Sequence, residues 1–160
     1  MIDIRTMLPG ESQAVCEVVI RTFNEFVAPG YSAEGLSSFY QYVTPEALEK
    51  RLFEGHFILV AFDTEAKTIV GAIEVRNHNH ISLLFVDKAY HRQRIARQLF
   101  GRALNNCYRW SPIRAMSEGI TVNSSPYAVP IYEKLGFKKT GDEQVKNGIR
   151  FVPMIYNYQK

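Results

Sequence analysis

The sequence holds two cysteines, Cys16 and Cys107, without the spacing of a metal knuckle or a redox pair. Each falls in an apolar helical pattern, so both are expected as reduced core residues. The N-terminal stretch MIDIRTMLPGESQ lacks the apolar core of a secretory signal, and no stretch approaches membrane-spanning length. The cytoplasm is therefore the expected compartment, and no membrane partner is expected. Runs of like charge are missing as well. The formal net charge of +3 is spread along the chain and leaves no basic footprint for nucleic acid. Repeats, low-complexity tracts and Pro/Gly/Ser-rich linkers are absent, so one domain spanning 1–160 is expected. Histidines are few: His56, His78, His80 and His91 lack metal-ligand spacing, and no metal is expected. His78 and His80 flank a turn and are expected at the surface.

What is present is ordinary for a folded domain. Apolar residues make up 46% of the chain, with nine Tyr and ten Phe, and 160 residues suffice to close one substantial core.

The periodicity gives helices first. Met1 to Met7 alternates like a short strand, which Leu8-Pro9-Gly10 breaks. Val15, Val18, Val19, Phe23 and Phe26 then follow helical spacing over 11–26. Pro29-Gly30 ends that helix, and 31–42 reads as a second one with Ser32 as its cap. Thr44-Pro45 opens a third, Thr suiting the N-cap and Pro the first turn. The period then changes. Strands are expected at 57–62, 68–75 and 81–86, with a turn at Asn77-His78-Asn79. Such near-continuous apolar runs imply a sheet covered on both faces. An amphipathic helix is expected from about Arg94 to Tyr108, with Ile95, Leu99, Ala103 and Cys107 in one row. A short strand at 119–122 follows, then a helix opened by Ser125-Pro126 and closed by Gly136, and a last strand at 150–158. The order implies a mixed α/β (α+β) architecture with a mostly antiparallel sheet and helices on both faces.

The segment richest in chemistry is the turn between strand 81–86 and the following helix. A helix N-terminus leaves backbone N–H groups free, and with the helix dipole they favour an anion such as a pyrophosphate. His91, Arg92, Arg94 and Arg97 crowd this turn. At exposed positions each cation opposes the dipole by about 0.3–1 kcal/mol, a repulsion that a bound anion would offset.

Leu84-Phe85-Val86-Asp87-Lys88-Ala89-Tyr90-His91-Arg92-Gln93-Arg94-Ile95-Ala96-Arg97 resembles the acetyl-CoA signature of the GNAT superfamily of N-acetyltransferases, a strand followed by Arg/Gln-x-x-Gly-x-Gly/Ala at the head of a helix. Ser125 to Phe137 is similar to that family's Asn/Ser-x-x-Ala-x-x-x-Tyr-Glu-Lys-Leu-Gly-Phe helix. The motifs stand in the family's order with a strand between them. This chain departs from the pattern at His91, in place of Arg or Gln, and at Arg94, in place of the first Gly. Arg94 is expected to stay helical and still offer its N–H.

The resemblance implies a GNAT-like fold whose parallel strand pair splays to admit CoA, with acetyl-CoA as acyl donor and an amine of a small molecule or peptide as acceptor. It places the pantetheine arm along Leu84, Phe85 and Val86. The pyrophosphate falls on the turn and first helical residues His91, Arg92, Gln93, Arg94, Ile95, Ala96 and Arg97, with Asn123 and Ser125 beside the cofactor. A backbone N–H near Phe85 or Val86 would polarise the thioester carbonyl. Tyr132 would protonate the departing thiolate. By spacing alone Tyr132 is a core aromatic, and only the motif makes it an acid.

An ammonium acceptor must lose a proton, and Glu74, on a strand expected to pair with 81–86, is the first candidate for the base. It shares a face with Ala72, which leaves room above it. Among Phe26, Tyr31, Phe39, Tyr40 and Tyr42, most are core and Tyr31 is expected to face the acceptor. The rival reading is a domain of this fold that binds acyl-CoA as a sensor without turnover. Oligomeric state, a homodimer included, stays open.

Overall fold

The computed structural model describes residues 1–157. Eight strands run β1 (Ile2–Thr6), β2 (Phe57–Asp63), β3 (Thr68–Arg76), β4 (His80–Val86), β5 (Ile120–Ser124), β6 (Lys138–Lys139), β7 (Gln144–Lys146) and β8 (Ile149–Tyr156). Six α-helices accompany them: α1 (Ser12–Phe26), α2 (Ala33–Tyr42), α3 (Pro45–Phe53), α4 (Ile95–Trp110), α5 (Pro112–Glu118) and α6 (Val129–Leu135). The expected caps are present. Ser32 and Thr44 accept the backbone N–H of Gly35 and Ala47, each at 3.1 Å. Ser125 behaves differently. It accepts the N–H of Ala128 within a turn, and the helix begins only at Val129, with Pro130 in its first turn. The strand expected to reach residue 158 is seen to Tyr156, and Tyr158 lies outside the described residues.

Strand order is β1-β2-β3-β4-β5-β8-β6, with β7 pairing beside β8. All pairs are antiparallel except β4–β5. Period-2 alternation sends successive side chains to opposite faces, so each apolar strand feeds two cores. On one face Ile73, Val75, Ile81 and Val122 pack against Leu99 and Ala103 of α4 and Tyr132 of α6. On the other Ile58, Val60, Ala72 and Leu83 meet Val15, Val18 and Val19 of α1 and Leu48 of α3. Cys16 and Cys107 are free thiols, one in each core, and burial pushes them up to about 11 and about 12.

Helix α2 lies across the second face. Its first six residues pack on the β7–β8 hairpin, where the Ser38 hydroxyl donates to the Asn147 carbonyl at 2.9 Å. Farther along, Phe39 meets Phe85 of β4, with ring centroids 5.9 Å apart. At the hairpin contact two backbones touch: a Cβ on Gly35 would stand 2.2 Å from the Gly148 carbonyl oxygen. Gly148 also has φ +76°, a left-handed conformation that favours glycine.

Candidate active site

The β4–β5 pairing is short. Only His80↔Thr121 and Ile81↔Val122 are in register, and beyond them the two parallel strands part into a fork. Opposite the fork's vertex, β4 carries a bulge at Ser82, because Ile81 pairs with Val75 and Leu83 with Glu74. A bulge bends its strand and breaks the ladder locally. Past it, Asp87 N–H donates to the Val70 carbonyl at 2.7 Å, which makes Val86–Gly71 a non-hydrogen-bonded pair. By the antiparallel alternation, Leu84 is placed like Val86 and Phe85 is not. Leu84 and Val86 therefore turn their N–H and C=O groups toward the fork, where β5 no longer answers them. Phe85 spends its own on β3 and sends its ring to the second face. Of the three predicted strand residues, two offer backbone to a ligand and one offers a side chain.

At the open end, Lys88–Tyr90 forms a single 3₁₀ turn and α4 begins at Ile95. Arg94 is not helical, contrary to the expectation from the sequence; it is the N-cap, with φ 61° and ψ 22°. This is the left-handed backbone for which glycine is the usual choice, adopted here by an arginine at a cost of about 1–2 kcal/mol. Arg92 is left-handed too, at φ 64°. The double kink is what turns the chain sharply from β4 into α4 and leaves Arg92, Gln93, Arg94 and Arg97 exposed. Ile95 is instead buried in the first core and Ala96 half-buried, so within this stretch they can offer a ligand backbone alone. His91 is half-buried, its Nε2 2.7 Å from the Val86 carbonyl. Its ring lies 5.3 Å from Phe26, which stacks on Tyr127 at the same distance. Across the fork Asn123 is exposed, and Ser125 holds the turn into α6.

Tyr132 sits in the first core, edge-on to Phe137 at 5.3 Å, and burial raises its pKa. It thus keeps its proton through neutral pH. Among the described residues no group hydrogen-bonds to its hydroxyl.

Glu74 stands on the second face of β3, 1% exposed. The space expected above it is filled. Arg51 of α3 grips both carboxylate oxygens, Nε to Oε2 at 2.7 Å and Nη2 to Oε1 at 3.0 Å. His56 adds Nδ1 to Oε2 at 2.8 Å. Arg51 also donates from Nη1 to the Tyr42 carbonyl at 2.8 Å and lies 3.7 Å over the Tyr42 ring. Arg51, His56, Tyr42 and Ser82 thus join Glu74 in a polar cluster beside the fork. One signal for it lies in the sequence: Arg51 occupies the inward stripe of α3 beside Leu48, while Phe53 points out at 94% exposure. A charge on an apolar stripe announces a buried counter-charge.

Tyr31 is half-buried, its hydroxyl donating to the Arg150 carbonyl at 3.1 Å, so it ties the α1–α2 connection to β8. The two turn histidines are only partly exposed, short of the surface position expected. His80 is partly buried with Nδ1 2.7 Å from the Thr121 hydroxyl, and burial lowers it to about 4. The Nδ1 of His78 is buried, without a hydrogen-bond partner among the described residues. The β4–β5 pairing covers one side of this turn and α5, unforeseen in the sequence, covers the other, where Arg114 donates to the Asn77 carbonyl. Among the described residues no group of three or more His, Cys, Asp or Glu could hold a metal, and no helix is long and apolar enough to cross a membrane.

Known proteins resemble the chain in sequence and in fold. The N-acetyltransferase YafP of Escherichia coli strain K12, itself called uncharacterized, is 24% identical over 159 residues, covering 99% of this chain and 96% of that protein. Among solved structures, a GCN5-related N-acetyltransferase from Rhodopseudomonas palustris superposes with a TM-score of 0.76 at 16% identity, over 98% of this chain and 95% of that one. The PaiA N-acetyltransferase of Thermoplasma acidophilum, solved in complex with coenzyme A, gives 0.74 at 20% identity over 99% of both chains. The family model of the acetyltransferase (GNAT) domain matches residues 27–158. With most of its length matched and the forked sheet in place, the chain belongs to the GNAT family of acetyltransferases.

Proposed function

We propose that the chain, read as one domain over 1–160, is a cytoplasmic N-acetyltransferase that moves an acetyl group from acetyl-CoA to a primary amine by direct attack. The observation that carries this reading is the fork. Leu84 and Val86 present a row of backbone donors and acceptors that β5 does not pair, the Val86 carbonyl shared with His91, and the row leads straight to a cationic turn at a helix N-terminus. An extended amide chain ending in a diphosphate matches both halves: strand-like pairing for the arm, N–H groups and Arg92, Arg94 and Arg97 for the phosphates. Acetyl-CoA supplies an acyl group activated as a thioester.

The protein's own groups divide the remaining work. A backbone N–H at the fork, from Leu84 or Val86, polarises the carbonyl oxygen, a preorganised donor where negative charge develops. Tyr132 protonates the departing sulfur; a free hydroxyl whose proton is held by burial is suited to that step. Glu74 anchors the basic side. With a proton on Nδ1, His56 donates to the Glu74 carboxylate and keeps a lone pair on Nε2, so the pair can take up the acceptor's proton through water. Tyr31 and the aromatic rings around it wall the acceptor space.

Calorimetry with coenzyme A and thiol release from acetyl-CoA with a panel of alkyl-, aryl- and polyamines test the reading together. Binding and turnover of a panel amine are expected. Tyr132→Phe should lower kcat by about 10²–10⁴-fold, with the affinity for coenzyme A little changed. Unchanged kcat in that variant removes Tyr132 from the acid role, and absence of coenzyme A binding removes the whole assignment.

A further inference from the structure

The Tyr42 hydroxyl is buried and among the described residues meets no partner in hydrogen-bond geometry. Native proteins rarely leave such a group bare, because an unsatisfied buried hydroxyl costs about 1–3 kcal/mol. Its surroundings show what a partner would be doing there. Tyr42 is the last residue of α2, the helix that crosses the second face from the β7–β8 hairpin to β4. Its polar neighbour is the Ser82 hydroxyl, which favours the phenolate although the two groups lie outside bonding geometry. Ser82 follows Ile81, the last β4 residue in register with β5, so the bare phenol stands at the vertex of the fork on the face that α2 roofs.

The phenol is also held in place with unusual thoroughness. Arg51 fixes Tyr42 at two points, the carbonyl and the ring face, and Glu74 in turn fixes Arg51 through two oxygens. A buried ion pair contributes little to net stability but holds geometry, and here it immobilises a side chain whose hydroxyl bonds to no described residue. Burial raises the phenol's pKa, so it remains a neutral hydroxyl with lone pairs to offer.

We infer that the Tyr42 hydroxyl, beside Ser82 at the fork's vertex, is the acceptor-binding contact: it accepts a hydrogen bond from the incoming amine and aims the nitrogen's lone pair at the acyl group. The inference rests on the proposed acetyl transfer. Arg51 and Glu74 act as positioning residues through Tyr42, in addition to the basic role given to the Glu74–His56 pair.

Tyr42→Phe separates this from a structural role, since it keeps the ring, its stacking on Arg51 and the backbone carbonyl. Deleting an unsatisfied hydroxyl should raise the melting temperature by about 2–4 °C. The same variant should raise KM for benzylamine, or for the panel amine turned over fastest, about tenfold, while coenzyme A affinity in calorimetry stays at the wild-type value. Wild-type KM in the variant overturns the inference, and so does a drop in melting temperature, which would mean the hydroxyl bonds to protein or to a structural water. Wild-type protein that neither binds coenzyme A nor releases thiol with any panel amine instead overturns the acetyl-transfer reading beneath it.

Discussion

Arg51 and Glu74 are charges that folding has taken out of water, and each tolerates burial only because of the other. Glu74→Gln leaves the guanidinium, 8% exposed, without its counter-charge. Such a loss is expected to cost about 3–5 kcal/mol in urea unfolding, whereas replacing both residues with methionine should restore most of it. A Glu74→Gln midpoint equal to wild type would show that the pair is not buried as described. The sequence revealed Glu74 as a candidate because its strand was readable. It did not reveal the grip on it. That depends on which face of α3 turns inward and on β2 and β3 running side by side, and neither is encoded within a few residues of Glu74. Tyr42 was visible only as one aromatic among several, since a hydroxyl becomes conspicuous only when its neighbours are known.

At the scale of elements, the turn into α4 carries the clearest local conflict. Arg94 holds φ 61°, so Arg94→Gly and Arg94→Ala should differ although both remove the same charge. Glycine accepts the left-handed conformation and alanine does not, so the glycine variant is expected to be more stable by about 1 kcal/mol. Both should weaken coenzyme A binding several-fold in calorimetry at low salt. Equal stability of the two would mean the kink is not held in the folded protein. The long apolar strands and the amphipathic α1 and α4 were legible because burial on a fixed face leaves a periodic imprint. The short elements left none. In α5 the apolar Ile113 and Met116 are exposed at 83% and 55%, which inverts the expected pattern, and β7 is exposed throughout. Their places are set by what they pack beside. Ser125-Pro126 carried the right residues for a helix start, yet they formed the turn before it, because a cap signal fixes a local bond and not the number of residues that follow.

Stability belongs to the whole molecule, and its pH dependence can be traced to the closed end of the fork. His80 is lowered from 6.5 to about 4 by burial and the nearby Arg76. The unfolded chain therefore binds a proton at His80 between these values that the folded chain refuses. Stability should decline as pH falls from about 6.5 to about 4, and His80→Gln should flatten the upper part of that limb in urea unfolding followed across pH. A profile identical in the variant would mean that His80 is solvated.

The contact between Gly35 and Gly148 has a consequence for how anything enters. Backbone meets backbone there, too close to admit a Cβ at either residue, so the joint between α2 and the hairpin cannot loosen by degrees at this point. The helix and the hairpin either stay joined or separate as units. On the proposed reading a bulky acceptor would enter by parting this seam, and a single added methyl at either glycine would act as a wedge that keeps the doorway ajar.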